Sequence, residues 1–351
     1  MKSKISIFLS LVFGNLFFIN AQTEYAGVEI GGKGLKVTII KIIDVEIGEF
    51  EIVKSWTRNT NVTKNISSDG QLLLADIDDT SYAVLDIIDQ LKKEHKIVSK
   101  NIFVVASSSV AVAKNKNLLA EKINKLTSYK LAFLTPDLES KLIAKGAIPQ
   151  SKYDNSLIID IGSGNTKGGY VEIDTKTYNY DFHPFVMKLG SMSLTQKIQK
   201  KAGGSSNFIP TMTAYQDTLA MNCKAVCEKD IKLKTKNNIY MLGGAVWAFI
   251  SIKKPNETAA YQEFTYQELL DYKNDITYKY DTFRTAGYVS KDYERVFKTF
   301  SKEALISGAN LMVSITSQLD NPETKKYYFV RQGQIAWLVA YIVDSVREIQ
   351  Q

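Results

Sequence analysis

Apolar positions along the chain change period several times, and each change marks an element. From Thr80 to Leu91 the residues Val84, Ile87, Ile88 and Leu91 recur at helical spacing, with Thr80 or Ser81 available as a cap. The apolar run Ile102 to Ala106 predicts a buried strand, and a helix through Leu118, Leu119 and Ile123 follows. Leu131 to Leu134 predicts another strand, after which Thr135-Pro136 starts a helix, with Thr as cap and Pro in the first position. Strands therefore alternate with helices, which predicts an α/β fold.

Two stretches break this alternation in the same way. In "LIIDIGSGNTKGGYVEI", residues 157 to 173, an aliphatic run ends in Asp160, small polar residues turn the chain, and Thr166 to Ile173 reads as a second strand. A carboxylate at the end of a buried strand is costly unless something outside the sheet uses it. A dinucleotide loop is excluded, because its glycines must open a helix and here they open a strand. Residues 26 to 42, "AGVEIGGKGLKVTIIKI", repeat the unit with Glu29 in the place of Asp160, 131 residues earlier. Duplication of a strand-turn-strand with an acid at the turn predicts two similar domains offering backbone N–H groups to one ligand. A third glycine turn, Gly243-Gly244, ends the apolar strand of "NIYMLGGAVWAF" and precedes an apolar helix.

Composition narrows the class. The 351 residues are 45% hydrophobic with only 6 prolines, enough for one or two packed domains without a large disordered block. The first 21 residues have the layout of a secretory signal peptide: Lys2 and Lys4 precede an apolar run from Ile5 to Ile19, closed by Asn20 and Ala21. The run is interrupted by Ser10, Gly14 and Asn15, so cleavage and export to the periplasm or medium are expected, without stable membrane insertion afterwards. Removing its two lysines brings the formal charge of +7 to about +5.

Nine lysines lie between Lys188 and Lys236, against Asp217, Glu228 and Asp230. A polyanion could use such a block, but without clustered arginines or interleaved aromatics it reads as a solvated face, and no nucleic-acid partner is expected. Cys223 and Cys227 are four apart on a helix, open to pairing in an oxidising compartment but without the histidines of a zinc set. His95 and His183 belong to no nucleophile signature, so a histidine-based triad is excluded. Glu139, in the first turn of the helix at Pro136, has its ionised form favoured by the helix dipole, which suits a proton acceptor or a water-positioning group. An ordinary first-turn glutamate is the plainer reading of the same position. The seven Tyr and Phe residues from Tyr261 to Phe283 read as packed surface of the second domain.

The order of these pieces resembles the exopolyphosphatase and guanosine pentaphosphate phosphohydrolase (Ppx/GppA) family. That family lies in the superfamily of actin, the heat-shock chaperone ATPases and the sugar kinases. The resemblance is carried by the acid-Ile-Gly turn at 29 to 34, "TPDLESKLIAKGA", "IIDIGSGNTKGGY", "MKLGSMSLTQKI" and "LISGANLMVSI", and it covers nearly all of the chain after the leader. It implies two actin-like, ribonuclease H-like domains with a phosphate-binding cleft between them. Their expected bounds are 22–150 and 151–325, followed by a C-terminal helix, 326–351, that packs back on the first domain.

The resemblance also implies roles. Glu139 matches the glutamate that activates or orients water, and Asp160 the acid that anchors a divalent metal, Mg²⁺ or Mn²⁺, with Glu29 as its counterpart in the first domain. Gly31, Gly32, Lys33 and Gly34 match the first phosphate loop, and Gly162, Ser163, Gly164, Asn165 and Thr166 the second; Gly243 and Gly244 form the third turn. Gly190 and Ser193 fall on a turn near the cleft.

Two departures stand out. Glu29 is one methylene longer than the aspartate of the pattern, and Ala111 stands where the family carries an arginine, leaving Lys33 or Lys114 to supply the charge. The implied activity is metal-assisted attack of water on terminal phosphate of polyphosphate or guanosine penta- or tetraphosphate. An apyrase-like nucleoside di- or triphosphatase and a non-catalytic phosphate- or nucleotide-binding member of the fold are the competing readings. The partner in each case is a polyphosphate or phosphorylated nucleotide, and a homodimer is left open.

Overall fold

The computed structural model describes residues 23–32, 34–46, 48–60, 62–63, 70–173 and 180–350. The leader at 1–21 and Lys33 lie outside the described residues. Strands β1 (Glu24–Gly31), β2 (Gly34–Asp44), β3 (Glu49–Asn59), β4 (Ile102–Ala106) and β5 (Ala132–Phe133) form a sheet in the order β3-β2-β1-β4-β5. A second sheet runs β10-β11-β9-β6-β7-β8. Its members are β6 (Ser156–Ile161), β7 (Thr166–Ile173), β8 (Tyr180–Met187), β9 (Asn238–Leu242), β10 (Tyr261–Phe264) and β11 (Lys326–Val330).

The duplication is visible in the pairing. β1 and β2 form an antiparallel hairpin whose first strand also pairs in parallel with β4. Likewise β6 and β7 form a hairpin whose first strand pairs in parallel with β9. A parallel neighbour requires a crossover, and each connection from hairpin to parallel strand includes helices. This is an α/β architecture of two mixed sheets, each carrying the glycine turn of its hairpin at one end.

The two halves are joined by a shared core. The helix Pro136–Ala147 and the C-terminal helix Ala336–Gln350 bring Leu142, Ile143, Leu338 and Ile342 against Ile40 and Val105 of the first sheet and Ile158, Val171 and Tyr240 of the second. Lys145 and Asp344 bridge the two helices at 2.6 Å. Leu338 lies so close to Gly27 of β1 that a Cβ there would meet it at 2.8 Å.

Three elements differ from the sequence expectation. The first helix starts at Leu74 and not at Thr80 or Ser81, whose side chains are buried within it. Ile77 extends the buried face backwards, with Asp76 supplying the first-turn acid. The strand expected over Leu131 to Leu134 pairs at Ala132 and Phe133 alone. Residues Lys326–Val330, expected in the C-terminal helix, form β11 beside β9, and the helix begins at Ala336. Cys223 and Cys227, whose pairing the sequence leaves open, are both free and buried, and burial raises both thiols, to about 12 and about 11.

Much of the lysine block is paired locally. Lys232 meets Glu172 at 2.6 Å, Lys234 meets Asp320 at 3.3 Å, and Lys197 and Lys201 lie over the ring of Tyr215. Phe264, Tyr272 and Tyr280 from the aromatic stretch are core residues. No helix among the described residues is long and apolar enough to cross a membrane.

Candidate active site

The two hairpin turns and the helix start at Pro136 meet at one place, and three acids stand there. Glu29 lies near the end of β1, Asp160 near the end of β6, and Glu139 sits in the first turn of the Pro136–Ala147 helix. That helix starts where the sequence predicts: the Thr135 hydroxyl accepts from the Leu138 N–H at 3.2 Å, and Pro136 takes the first position. Its rigid start fixes where the Glu139 carboxylate points.

Each acid meets a lysine. Glu29 pairs across the strands with Lys36, whose Nζ is 3.0 Å from Glu29 Oε1 and also donates to the Gln334 carbonyl at 3.2 Å. Asp160 pairs across the strands with Lys167, whose Nζ lies 3.9 Å from Asp160 Oδ2 and 3.0 Å from Glu139 Oε1. The other Glu139 oxygen, Oε2, accepts from the Ser108 N–H at 2.9 Å, at the end of β4. The serines flanking it, Ser107 and Ser109, bond each other at 2.8 Å, and the Ser107 N–H donates to the Ile30 carbonyl beside the first turn.

Burial acts on all three acids, with different results. For Glu29 and Asp160 desolvation outweighs the nearby ammonium groups, and both are held above the ordinary carboxylate range. For Glu139 burial works in the same direction, yet Lys167 and the Ser108 N–H overcome it and hold the carboxyl below that range. Lys167 is itself largely buried, which opposes its charge, but Glu139 and Asp160 raise its affinity for a proton. Glu139 is thus an ionised acceptor with a fixed orientation, suited to aligning a water molecule.

The second glycine turn is held in shape by the helix Ser191–Ala202. The N–H groups of Ser191, Met192 and Ser193 donate to the carbonyls of Gly162 and Ser163 at 2.9 to 3.0 Å. Ser193 Oγ accepts from the Gly190 N–H and donates to the Gly164 carbonyl. The tip of the turn, Ser163, Gly164 and Asn165, is exposed. Thr166, expected to bind phosphate, does not offer its hydroxyl: it is fully buried and donates to the Leu189 carbonyl at 2.8 Å. Gly243, at φ 101°, lies against the Ile161 carbonyl and Asp160 Oδ1, so no side chain fits there; Gly244 opens the following helix. In the first turn the Gly32 carbonyl accepts from both the N–H and the hydroxyl of Thr63. Gly31 lies over Glu29, and Gly34 ends the turn opposite it in register.

The donor set does not fit the divalent metal that the sequence resemblance implies at Asp160 and Glu29. Among the described residues no group of three His, Cys, Asp or Glu side chains is arranged to hold one. Both Glu139 oxygens and one Glu29 oxygen are already taken, and the Lys167 ammonium stands between Glu139 and Asp160. Glu29 Oε2 is buried without a partner among the described residues, and a single such oxygen is not a metal cage. The charges that sequence reasoning missed are Lys36 and Lys167. Their signal was available, since they are separated by the same 131 residues as the two acids. Ala111 and Lys114 lie in and just beyond the short Ser108–Ala111 helix, with Lys114 exposed and packed along Gly70.

Comparison with known proteins identifies the fold and the family. Residues 39–219 match the sequence profile of the Ppx/GppA phosphatase family. A guanosine-5'-triphosphate,3'-diphosphate pyrophosphatase of Pseudoalteromonas atlantica is 23% identical over 144 residues, which is 41% of this chain and 27% of that protein. A Ppx/GppA family member from Aquifex aeolicus superposes with a TM-score of 0.67 at 18% identity, covering 92% of this chain and 98% of its own. An exopolyphosphatase from Cytophaga hutchinsonii gives 0.60 at 13% identity, covering 90% and 98%. At such identities the structures establish the two-domain actin-like fold, and with the profile spanning half of the sequence, the chain belongs to the Ppx/GppA phosphatase family.

Proposed function

We propose that this protein is a phosphohydrolase that uses water to release terminal phosphate from a phosphoanhydride chain, polyphosphate or guanosine penta- or tetraphosphate. The observation that carries this reading is Glu139, ionised and fixed by Ser108 and Lys167 where the two glycine turns meet. Phosphoryl transfer to water needs alignment and charge neutralisation more than a covalent nucleophile. Glu139 aligns the water, Lys36 and Lys167 offset charge on the phosphate oxygens, and the N–H groups of the exposed turn 163–165 orient the chain being cut. The family membership and the pyrophosphatase among its relatives support the substrate class. The leader-like first 21 residues support action outside the cytoplasm, where ATP for a kinase is scarce.

The test is phosphate release by the purified chain from long polyphosphate, guanosine pentaphosphate, ATP and ADP, beside Glu139→Gln. Release from polyphosphate or guanosine pentaphosphate, falling on the order of 100-fold in the variant, is expected. Release from ATP and ADP alone would replace this reading with an apyrase-like one. Equal rates in wild type and variant, or no release from any substrate, would end the hydrolytic assignment to Glu139.

A further inference from the structure

The acids of the two hairpins come with lysines at the same spacing. Glu29 faces Lys36 and Asp160 faces Lys167 in strictly paired register, and the two acid–lysine pairs are related by the duplication itself. The lysines therefore belong to the repeated unit as fully as the acids do. Lys167 Nζ stands 3.0 Å from Glu139 Oε1 and 3.9 Å from Asp160 Oδ2, between the two carboxylates that would otherwise share an ion. A Mg²⁺ on Asp160 would need an oxygen at about 2.0–2.1 Å, with the like-charged Lys167 ammonium only 3.9 Å from Oδ2.

We propose that Lys36 and Lys167 replace the divalent metal, so that this cleft takes an inorganic phosphate chain with its own ammonium groups as the only cations. The donor count allows it. An ammonium has three N–H groups. Lys36 directs one at Glu29 and one at the Gln334 carbonyl, and Lys167 one at Glu139 and one towards Asp160. One N–H of each remains for an anion, and both side chains keep some exposure to the cleft. The glycine turns add uncharged donors around the same point. The inference rests on the phosphate-cleft reading above, but concerns binding and not turnover.

The experiment uses the purified full chain and two probes. Titration with Mn²⁺ alone, followed by electron paramagnetic resonance, is expected to show no stoichiometric site in the wild type. Lys167→Glu, which places a third carboxylate beside Glu139 and Asp160, is expected to gain one. Calorimetry with tripolyphosphate is expected to give an affinity in excess chelator at least as tight as in millimolar Mg²⁺, which itself competes for the phosphate chain. Lys167→Met, which keeps the volume without the charge, is expected to lose about tenfold or more of the chelator-resistant affinity while retaining the wild-type circular dichroism spectrum. A stoichiometric Mn²⁺ site in the wild type, or tripolyphosphate binding that appears only with Mg²⁺, overturns the proposal while leaving the phosphate cleft standing. Absence of tripolyphosphate binding under both conditions overturns both.

Discussion

Glu29 and Glu139 lie in one cluster, and their environments push them in opposite directions. Glu29 has its carboxyl raised by burial, so the folded protein binds its proton more tightly than the unfolded chain does. Its contribution to stability is full below the unfolded value and declines as pH rises through the folded one. Glu29→Gln removes that penalty, and is expected to be more stable than the wild type at pH 8, by a margin that shrinks as pH falls towards 4. Urea denaturation at several pH values checks this, and a variant less stable than wild type at pH 8 would refute it. Glu139, held low by Lys167 and the Ser108 N–H against burial, has the opposite sign. Its stabilisation is present above the unfolded value and lost as pH drops through the folded one. In the same experiments Glu139→Gln should therefore cost stability at pH 7 and converge on wild type in acid. At this scale Glu139 and Asp160 were legible in the sequence, because a Thr-Pro helix start and an acid ending an aliphatic run each leave a local signature. Lys36 and Lys167 repeat at the same 131-residue spacing as the acids, but that they face those acids is written only in the strand pairing.

The turn between β6 and β7 depends on the helix that follows β8, which makes Gly190 a joint between elements. A Cβ at Gly190 would meet the Gly162 carbonyl oxygen at 2.5 Å and Asn165 N at 2.6 Å, backbone atoms that cannot swing aside. Gly190→Ala must therefore push the turn off the helix N-terminus, where three N–H groups now hold its carbonyls. The expected cost is about 1–3 kcal/mol, together with weaker tripolyphosphate binding. Gly204→Ala, with nothing within 4 Å of the added carbon, is the control and should bind as wild type does. Equal binding by both variants would show that the turn shape does not matter. Both hairpins were legible as a repeat, since the alternation and the turn residues are local. The true start of the first helix at Leu74 was not, because Thr80 and Ser81 have the chemistry of caps and only tertiary burial reveals them as interior. β11 was lost for a similar reason: its partner β9 lies far back in the chain, and long-range pairing writes no period into the sequence.

Two sheets with separate cores could unfold independently, as domains often do. Here a third core lies between them, built on the Pro136–Ala147 and Ala336–Gln350 helices and touching both sheets, so neither half can open without exposing it. The chain connectivity strengthens this, because the C-terminal helix follows a strand of the second sheet and packs on β1 of the first. One cooperative transition is therefore expected. The protein carries its own reporters: its three tryptophans fall one to each core, Trp56 beside the first, Trp247 beside the second and Trp337 inside the third. Three variants, each keeping one tryptophan with the others changed to Phe, can be unfolded in urea and followed by fluorescence and by circular dichroism. Within each variant the two signals should coincide, whichever core the tryptophan reports. A Trp247 signal that separates from the dichroism of its own variant would mean that the second sheet melts alone. Leu338→Ala tests the coupling directly: Leu338 is fully buried against Gly27, and its loss should cost about 2–5 kcal/mol. If the third core binds the halves together, that cost shifts the Trp56 and Trp247 transitions equally; a shift confined to Trp56 would show a C-terminal helix that serves the first sheet alone.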